Sequence, residues 1–394
     1  MKRNLLFAAL VGVALTGCVN EEVASVENQK ELMTFASVLK TQSRANVLGE
    51  IDDTAYPTKE DFKVYSWRYQ NNFAGWNSSS PTSYFSADGD VARHGYSTTG
   101  ESKYWTTDVV HYWPDAQYKL IFAAYSPADF TPKKDNGTDA DGKTNFADAE
   151  GAIDVNATVS YNEKGLNITN FRVQEKSDLQ YDLMYSDRNF DRTEANNGNS
   201  AVKLTFNHAL ASIVFSAQKA TAIDYKIKDI KIGGSFVMNG NFSQGIVENT
   251  TGTYSETSSP TWTDADTKIV FEDSKQFDPE FPEFNVPSTN PAQFTKGTSA
   301  LLMIPQTVPG DAYVIVSYTI TNNGVEVPYT TPQIKLSEFK YTDEEDNNAQ
   351  KTIDKWVAGK RYIYRISFGA NTQIYFEPTV VDWIDHPTAV YTIG

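Results

Sequence analysis

Alternating apolar and polar residues recur in short runs along the chain, whereas long stretches with helical spacing are scarce. Residues 62–67 and 311–319 alternate, while Tyr118–Ser126 is a nearly continuous apolar run that ends at Pro127. β-branched and aromatic residues fill these runs, as is typical of strands. The pattern predicts an all-β protein of short strands joined by turns. Residues 351–357 are the one place where we predict a single helical turn.

The N-terminal residues have the pattern of a lipoprotein signal. Lys2 and Arg3 precede an apolar run at residues 5–15, which is too short to span a bilayer and has the length of a secretory signal. The run closes with Leu-Thr-Gly before Cys18, which resembles the bacterial lipobox. That motif predicts a signal peptide over residues 1–17, cleavage before Cys18 and acylation of its thiol. The alternative is a chance match after an ordinary signal peptide.

A polar tether and a strand follow the cysteine. Residues 19–30 lack apolar periodicity and are not expected to fold on their own, and Glu21 and Glu22 resemble the surface-export signal of lipoproteins in certain Gram-negative anaerobes. Residues 32–39 carry apolar side chains on both faces, as a strand enclosed on both sides requires. Arg44 follows in a polar segment, where an exposed arginine is an accessible protease site. The alternative is an ordinary first strand followed by an ordinary loop.

Length and charge bound the domain count and the partners. After the signal peptide and the tether segment at residues 18–44, the 394-residue chain is long enough for two domains. An Asn- and Gly-rich stretch at residues 193–199 is the best boundary, so we expect an N-terminal domain at residues 45–198 and a C-terminal domain at residues 199–394 that opens with one strand at 202–216. The formal net charge of −16 argues against nucleic acid and an anionic membrane surface as partners.

Several segments carry a family resemblance. A Trp-Pro pair followed by Leu-x-Phe-x-Ala-Tyr-x-Pro, within residues 113–127, resembles the fimbrillin-like proteins, the subunits of type V pili in Gram-negative anaerobes of mouth and gut. Further matches to that family follow in order along the chain: YDLMY at 181–185, LTFNHALASIVF at 204–215, LLMIPQ at 301–306, WVAGKRYIY at 356–364, IYF at 374–376 and VVDW at 380–383. Together they extend over most of the chain after the signal peptide.

The resemblance implies a fold and a role. It implies two tandem transthyretin-like (Greek-key) β-sandwich domains, and an outer-membrane, lipid-anchored precursor at the cell surface that becomes part of a fimbrium. In that family an arginine-specific protease removes the first strand, and a neighbour's strand fills the vacated groove. Arg44 occupies the corresponding place, so cleavage between Arg44 and Ala45 and partnership with other pilus subunits are implied. A host or bacterial surface is a further class of partner; a stalk, tip or anchor role is left open.

The C-terminal tail has the pattern of a strand. Ala389, Tyr391 and Ile393 alternate with Val390 and Thr392 at the end of the sequence. An extended segment with alternating anchors can complete the sheet of another subunit, with main-chain hydrogen bonds supplying affinity. The tail is therefore a candidate donor strand. The alternative is that it pairs within its own sheet.

No motif for catalysis or metal binding stands out. His94, His111, His208 and His386 are scattered singly, Cys18 is the only cysteine, and neither a serine nucleophile elbow nor a phosphate-binding loop occurs. We place His208 at the edge of a core, hydrogen-bonded locally. We therefore expect no enzyme activity, no cofactor and no metal site.

Two further functions stay open. A surface glycan-binding lipoprotein would use Trp76, Tyr104 and Trp105 as platforms for sugars, although in a sandwich such aromatics more often plug the ends of the core. A surface glycosidase would need a pair of carboxylates, which the sequence does not single out. Thr54 lies in an Asp-Thr-Ala triplet that matches a bacterial O-glycosylation acceptor.

Overall fold

Strands account for almost all regular structure in the computed structural model. It describes residues 33–39, 61–70, 82–94, 104–130, 133–138, 144–148, 157–162, 165–174, 177, 180–193, 201–248, 254–256, 260–264, 268–271, 283–288, 290–293, 300–343, 349–369 and 374–382. Within these ranges there is no α-helix; a 3-10 turn lies at Leu336–Glu338, and Ser177 is also in a 3-10 conformation. The predicted all-β class is confirmed.

The strands of the first half run from β1 to β12. They are β1 (Phe35–Leu39), β2 (Phe62–Gln70), β3 (Thr82–Ser83), β4 (Asp90–His94), β5 (Trp105–Thr107), β6 (Tyr118–Ser126), β7 (Lys133–Thr138), β8 (Thr144–Asp148), β9 (Thr158–Asn162), β10 (Gly165–Arg172), β11 (Met184–Ser186) and β12 (Asn189–Arg192).

The strands of the second half run from β13 to β31. They are β13 (Val202–His208), β14 (Ala211–Lys219), β15 (Asp224–Val237), β16 (Asn239–Glu248), β17 (Tyr254–Glu256), β18 (Thr261–Asp264), β19 (Lys268–Phe271), β20 (Phe284–Asn285), β21 (Ala292–Gln293), β22 (Leu301–Met303), β23 (Gln306–Thr307), β24 (Tyr313–Asn322), β25 (Val325–Thr330), β26 (Ile334–Lys335), β27 (Lys340–Asp343), β28 (Ala349–Thr352), β29 (Lys355–Trp356), β30 (Lys360–Phe368) and β31 (Ile374–Asp382).

Seven strands close into a ring. Their order is β6, β11, β13, β1, β5, β4 and β2, and β2 pairs with β6 to complete the circle, while β12 and β3 extend it from β6 and β2. Every neighbouring pair is antiparallel except β1 with β13, which run in the same direction. The first strand of the protein is therefore an integral member of a closed hydrogen-bonded circuit.

The sequence of β6 explains how the ring is packed on two sides. Leu120, Phe122 and Ala124 point into the ring, where they join a buried cluster that includes Met33 and Phe35. The intervening residues of β6 belong to a second buried cluster outside the ring. Because both faces of β6 are covered, its sequence is a continuous apolar run and does not alternate.

A second layer covers the outer face of β2 and β6. Strands β9 and β10 pair with each other, and β10 also pairs with β16 from the second half of the chain. The Tyr161 ring of this layer lies 4.8 Å from Tyr65 and 5.7 Å from Trp67 of β2. This aromatic contact joins the ring to the remainder of the protein through one continuous apolar cluster.

Two sheets face each other in the second half. One contains β21, β14, β30 and β31, and the other contains β19, β15, β24 and β25. Tyr225 and Tyr318 of the second sheet contact Phe368 of the first, with ring centroids 4.6 and 5.2 Å apart. The alternation predicted at residues 311–319 is confirmed, because Val314, Val316 and Tyr318 are buried in this core.

The structure corrects two expectations about elements. Residues 202–216 form two strands, because the chain leaves the ring after β13 and enters a different sheet as β14. The predicted helical turn at residues 351–357 is wrong: this segment carries strand β29 and part of β28. The number and type of sandwich domains, and their division at residues 198 and 199, stay predictions.

Candidate functional site

Strand β1 is held by its backbone along its length. It pairs in parallel with β13 from Phe35 opposite Val202 to Leu39 opposite Phe206, and it touches β5 where Phe35 lies opposite Trp105. Beyond the ladder, the Val202 N–H donates to the Thr34 carbonyl at 2.7 Å. We call the surface that β1 covers, formed by β13, β5 and the ring interior beneath them, the β1 seat.

Two side chains of the β1 segment anchor it in the ring interior. Phe35 is completely buried and Met33 is 2% exposed. The Phe35 ring makes edge contacts with Phe85 and Phe122, with centroids 6.2 and 5.8 Å away. Phe35 thus fills an aromatic pocket that is lined by elements from elsewhere in the ring. The prediction that residues 32–39 form an enclosed strand agrees with β1 and with the burial of Met33, Phe35 and Ala36.

A polar contact closes the seat next to Met33. The Met33 N–H donates to the His111 carbonyl at 2.9 Å. The His111 ring stacks on Phe85 at 3.8 Å, and its Nε2 lies 2.6 Å from Asp90 Oδ2. Because Phe85 also contacts Phe35, the histidine supports both the backbone and the anchoring pocket of β1.

Charged side chains on the ring surface form a second polar group. Arg93 Nε lies 3.0 Å from Asp61 Oδ2, and the same guanidinium contacts the Asp108 carboxylate. Burial raises the pKa of the Asp61 carboxyl, and the neighbouring Arg93 lowers it in part. All three side chains are about half exposed, so they orient the segment after β5 and add little stability.

Most of the site residues predicted from the sequence lie outside the described part of the chain. These are Cys18, Arg44, Ala45, Ala389, Val390, Tyr391, Thr392 and Ile393, together with Thr54, Trp76 and His386. The strand between Cys18 and Arg44 is described from Met33 to Leu39, and it is the part of the predicted site that the structure can place. Lipidation, cleavage and strand donation stay predictions.

The structure contradicts one residue of the glycan-binding alternative. Trp105 is completely buried, with its ring 4.6 Å from His94 and 6.1 Å from Phe62, so it offers no face to a sugar. Its partner in that hypothesis, Tyr104, is 38% exposed. A row of stacking platforms therefore does not form from Tyr104 and Trp105.

The remaining candidate chemistry is structural where it is described. His208 Nδ1 lies 2.5 Å from Asp182 Oδ2 at the end of β13, so the predicted core-edge histidine uses a partner that is distant in sequence. Within the described ranges, no group of three or more His, Cys, Asp and Glu side chains could hold a metal ion. No helix there is long and apolar enough to cross a membrane.

Sequence reasoning missed the residues that build the seat. His111 stands in a polar, loop-like stretch, and the sequence places Val202 in the other predicted domain. Their common property is that ring closure brings them against β1. The available sequence signal was weak, namely apolar residues that interrupt polar stretches.

Comparisons with known proteins point to one family. A family model described as fimbrillin-like matches residues 51–383. The structure is similar to that of a fimbrial protein from Bacteroides vulgatus, with 17% identity, 89% of this chain and 99% of that chain covered, and a TM-score of 0.52. At such low identity this likeness shows the fold alone.

A second solved structure and the search of curated proteins give little further information about this chain. The tip fimbrial protein Mfa3 from Porphyromonas gingivalis, with a C-terminal truncation, has 12% identity, with 82% of this chain and 95% of that chain covered. Its TM-score of 0.26 is too low to carry an argument. No curated protein matches the sequence.

Proposed function

The chain belongs to the fimbrillin-like family, and from this membership we propose that it is a structural subunit of a cell-surface pilus. In this proposal the chain is exported as a precursor that is lipidated at Cys18 and sits on the outer membrane. An arginine-specific protease then cuts after Arg44, β1 leaves, and an extended strand of another subunit takes its place. No catalysis by the chain itself is required.

The seating of β1 is the observation that carries this proposal. Strand β1 is hydrogen-bonded between β13 and β5. Its covalent link to the other strands of the ring runs through the segment between Leu39 and Phe62. Arg44 lies in that segment, five residues after Leu39. A single cut there leaves β1 held by non-covalent contacts alone.

The vacated seat would be a template for association. Without β1, the backbone of β13 from Val202 to Phe206 loses its partner on one side, and the pocket of Phe35 opens to water. Burial of a Phe or Met side chain stabilises by about 1.5–3 kcal/mol, so the empty pocket is unfavourable. Unpaired strand edges pair readily with other strands. A replacement therefore needs an extended backbone with apolar side chains at alternate positions, which the tail from Ala389 to Ile393 has.

Limited proteolysis tests the proposal. A chain that starts at residue 18 and carries Cys18→Ser is digested with an arginine-specific protease, and the products are analysed by N-terminal sequencing and sizing. We expect a new terminus at Ala45, loss of the β1 fragment and a ladder of oligomers. The matched control Arg44→Gln should keep β1 and stay monomeric.

Two results would overturn the proposal. One is a chain that is cut at Arg44 and loses β1 but stays monomeric and folded. The other is an Arg44→Gln chain that, with its first strand intact, forms the same ladder as the wild type. Sugar arrays with the uncut protein then test the glycan-binding alternative, for which Tyr104 is the described candidate platform.

A further inference from the structure

The two ends of the β1 seat differ, and the end next to Leu39 is occupied by the protein itself. Beyond Phe206, β13 continues to His208 and leads through Ala209 and Leu210 into the second half. The Trp262 indole N–H donates to the Ala209 carbonyl at 2.8 Å, and the Gly359 N–H donates to the Leu210 carbonyl at 2.9 Å. A second subunit therefore has no room for its body at this end.

The opposite end, next to Met33, carries an exposed apolar surface. Val109, Val110 and Tyr112 are 55%, 57% and 48% exposed and follow β5 directly. They flank His111, whose carbonyl accepts the hydrogen bond from the Met33 N–H. We call these three side chains the apolar cap. Single exposed apolar residues are ordinary, but three within four positions form a patch of the kind that marks interaction sites.

The apolar cap is displayed by a backbone that side chains hold in place. The Thr107 hydroxyl donates to the Val109 carbonyl at 2.6 Å, and the Tyr84 hydroxyl donates to the Tyr112 carbonyl at 2.7 Å. In addition, the Asp108 N–H donates to the Val91 carbonyl at 3.1 Å. The valines therefore point outward from a fixed segment, and a partner could bind them with little loss of conformational entropy.

Chain length identifies the occupant of the apolar cap, given the proposed function. Strand β31 ends at Asp382, and the candidate donor strand begins at Ala389. The seven Cα–Cα steps from Asp382 to Ala389 can span at most about 25 Å, so the body of a donor lies close to the point where its tail enters the seat. Since the Leu39 end is blocked, that point is the Met33 end.

We propose that a second copy of this chain packs its body on the apolar cap and threads its tail into the seat parallel to β13, with Ala389 entering near Met33 and Ile393 lying deeper. This inference rests on the proposed function and adds the direction of insertion and the contact surface. In this arrangement the strand ladder and the apolar cap form one continuous interface between neighbouring subunits.

A double substitution tests the contact surface. Val109→Ser with Val110→Ser should be cleaved at Arg44 and lose β1 as the wild type does, but should associate about 10- to 100-fold more weakly, because two valines lose their burial. The matched control is Val325→Ser with Val327→Ser on β25, where the valines are 62% and 39% exposed. That control should assemble like the wild type. Unchanged assembly of the cap variant would refute the contact while leaving the proposed function intact.

Cysteine cross-linking tests the direction. In the Cys18→Ser background, where the introduced cysteines are the only ones, Val110→Cys with Ala389→Cys should form disulfides between neighbouring subunits of the cleaved ladder. Val110→Cys with Ile393→Cys should not. The reverse pattern would refute parallel insertion. A wild type that stays monomeric after losing β1 would overturn both this inference and the proposed function.

Discussion

Substitution of Phe35 by alanine should loosen β1 without affecting the mature subunit. Phe35 is completely buried and its ring has edge contacts with Phe85 and Phe122. Truncation of a buried Phe to Ala costs about 3–5 kcal/mol, since apolar burial is lost and a cavity remains. At about 1.4 kcal/mol per tenfold change, the cleaved β1 fragment should bind its seat roughly 100- to 4,000-fold more weakly.

The assay follows retention of the β1 fragment after cleavage at Arg44. Cleaved wild-type and Phe35→Ala chains are passed over a sizing column, and the fragment that co-elutes with the body is quantified by mass spectrometry across a dilution series. Thr34→Ala is the control, because its carbonyl still accepts the Val202 N–H and its half-buried side chain is small. That control should change retention less than tenfold.

The mature subunit supplies a second control. In the proposed assembly residue 35 leaves with β1, so polymers assembled from Phe35→Ala precursors should be as stable in denaturant as wild-type polymers. Wild-type retention of the Phe35→Ala fragment would refute the anchoring role of the side chain. A difference in polymer stability would refute the idea that β1 has left.

Two further predictions concern stability. Gly234 has a φ of +142°, and an added Cβ would lie 2.7 Å from the Ala312 Cα, so Gly234→Ala should lower the free energy of unfolding by about 2–4 kcal/mol in denaturant titrations. Gly310→Ala, with open space around its Cβ, should change it by less than about 0.5 kcal/mol, and equal effects of the two would contradict the steric argument. Burial raises the pKa of Tyr65 from 10.0 to about 12, so the folded state favours the neutral hydroxyl. The contribution of Tyr65 to the free energy of unfolding is therefore complete below about pH 10 and is lost as the pH rises towards 12. Between pH 10 and 12 the free energy of unfolding of the wild type should fall by about 1–3 kcal/mol more than that of Tyr65→Phe. Parallel pH profiles of the two proteins would contradict the burial of the hydroxyl.

The family and the strand content could be predicted because they depend on local patterns. The continuous apolar run of β6, the alternation in β24 and the apolar residues on both faces of β1 each report how many sides of a strand are covered. The same local signal separates Met33 and Phe35 from the polar tether before them. None of these predictions needs knowledge of distant residues.

Only the tertiary structure decided where these strands go. β1 pairs with β13, which lies more than 160 residues further along the chain, and nothing in either sequence specifies that partner or its parallel direction. The change of sheet at Ala209 and Leu210 is likewise invisible, because buried apolar residues lie on both sides of it, Phe206 in one sheet and Ile213 in the other. The spacing of apolar residues shows which faces of a strand are buried, but it does not show which strand lies next to it.

The β1 seat and the apolar cap are also products of long-range pairing. For Trp105 the sequence leaves two interpretations open, a sugar platform and the more frequent plug of a core; ring closure buries it completely. Val109 and Val110 stand between Asp108 and His111, and the sequence does not tell whether they are buried; the same closure leaves them exposed next to Met33. The sequence alone determined the all-β class, most of the strand segments and the family that they resemble. The closure of those strands, a sum of many non-local contacts, decided which apolar side chains are buried and which stay exposed.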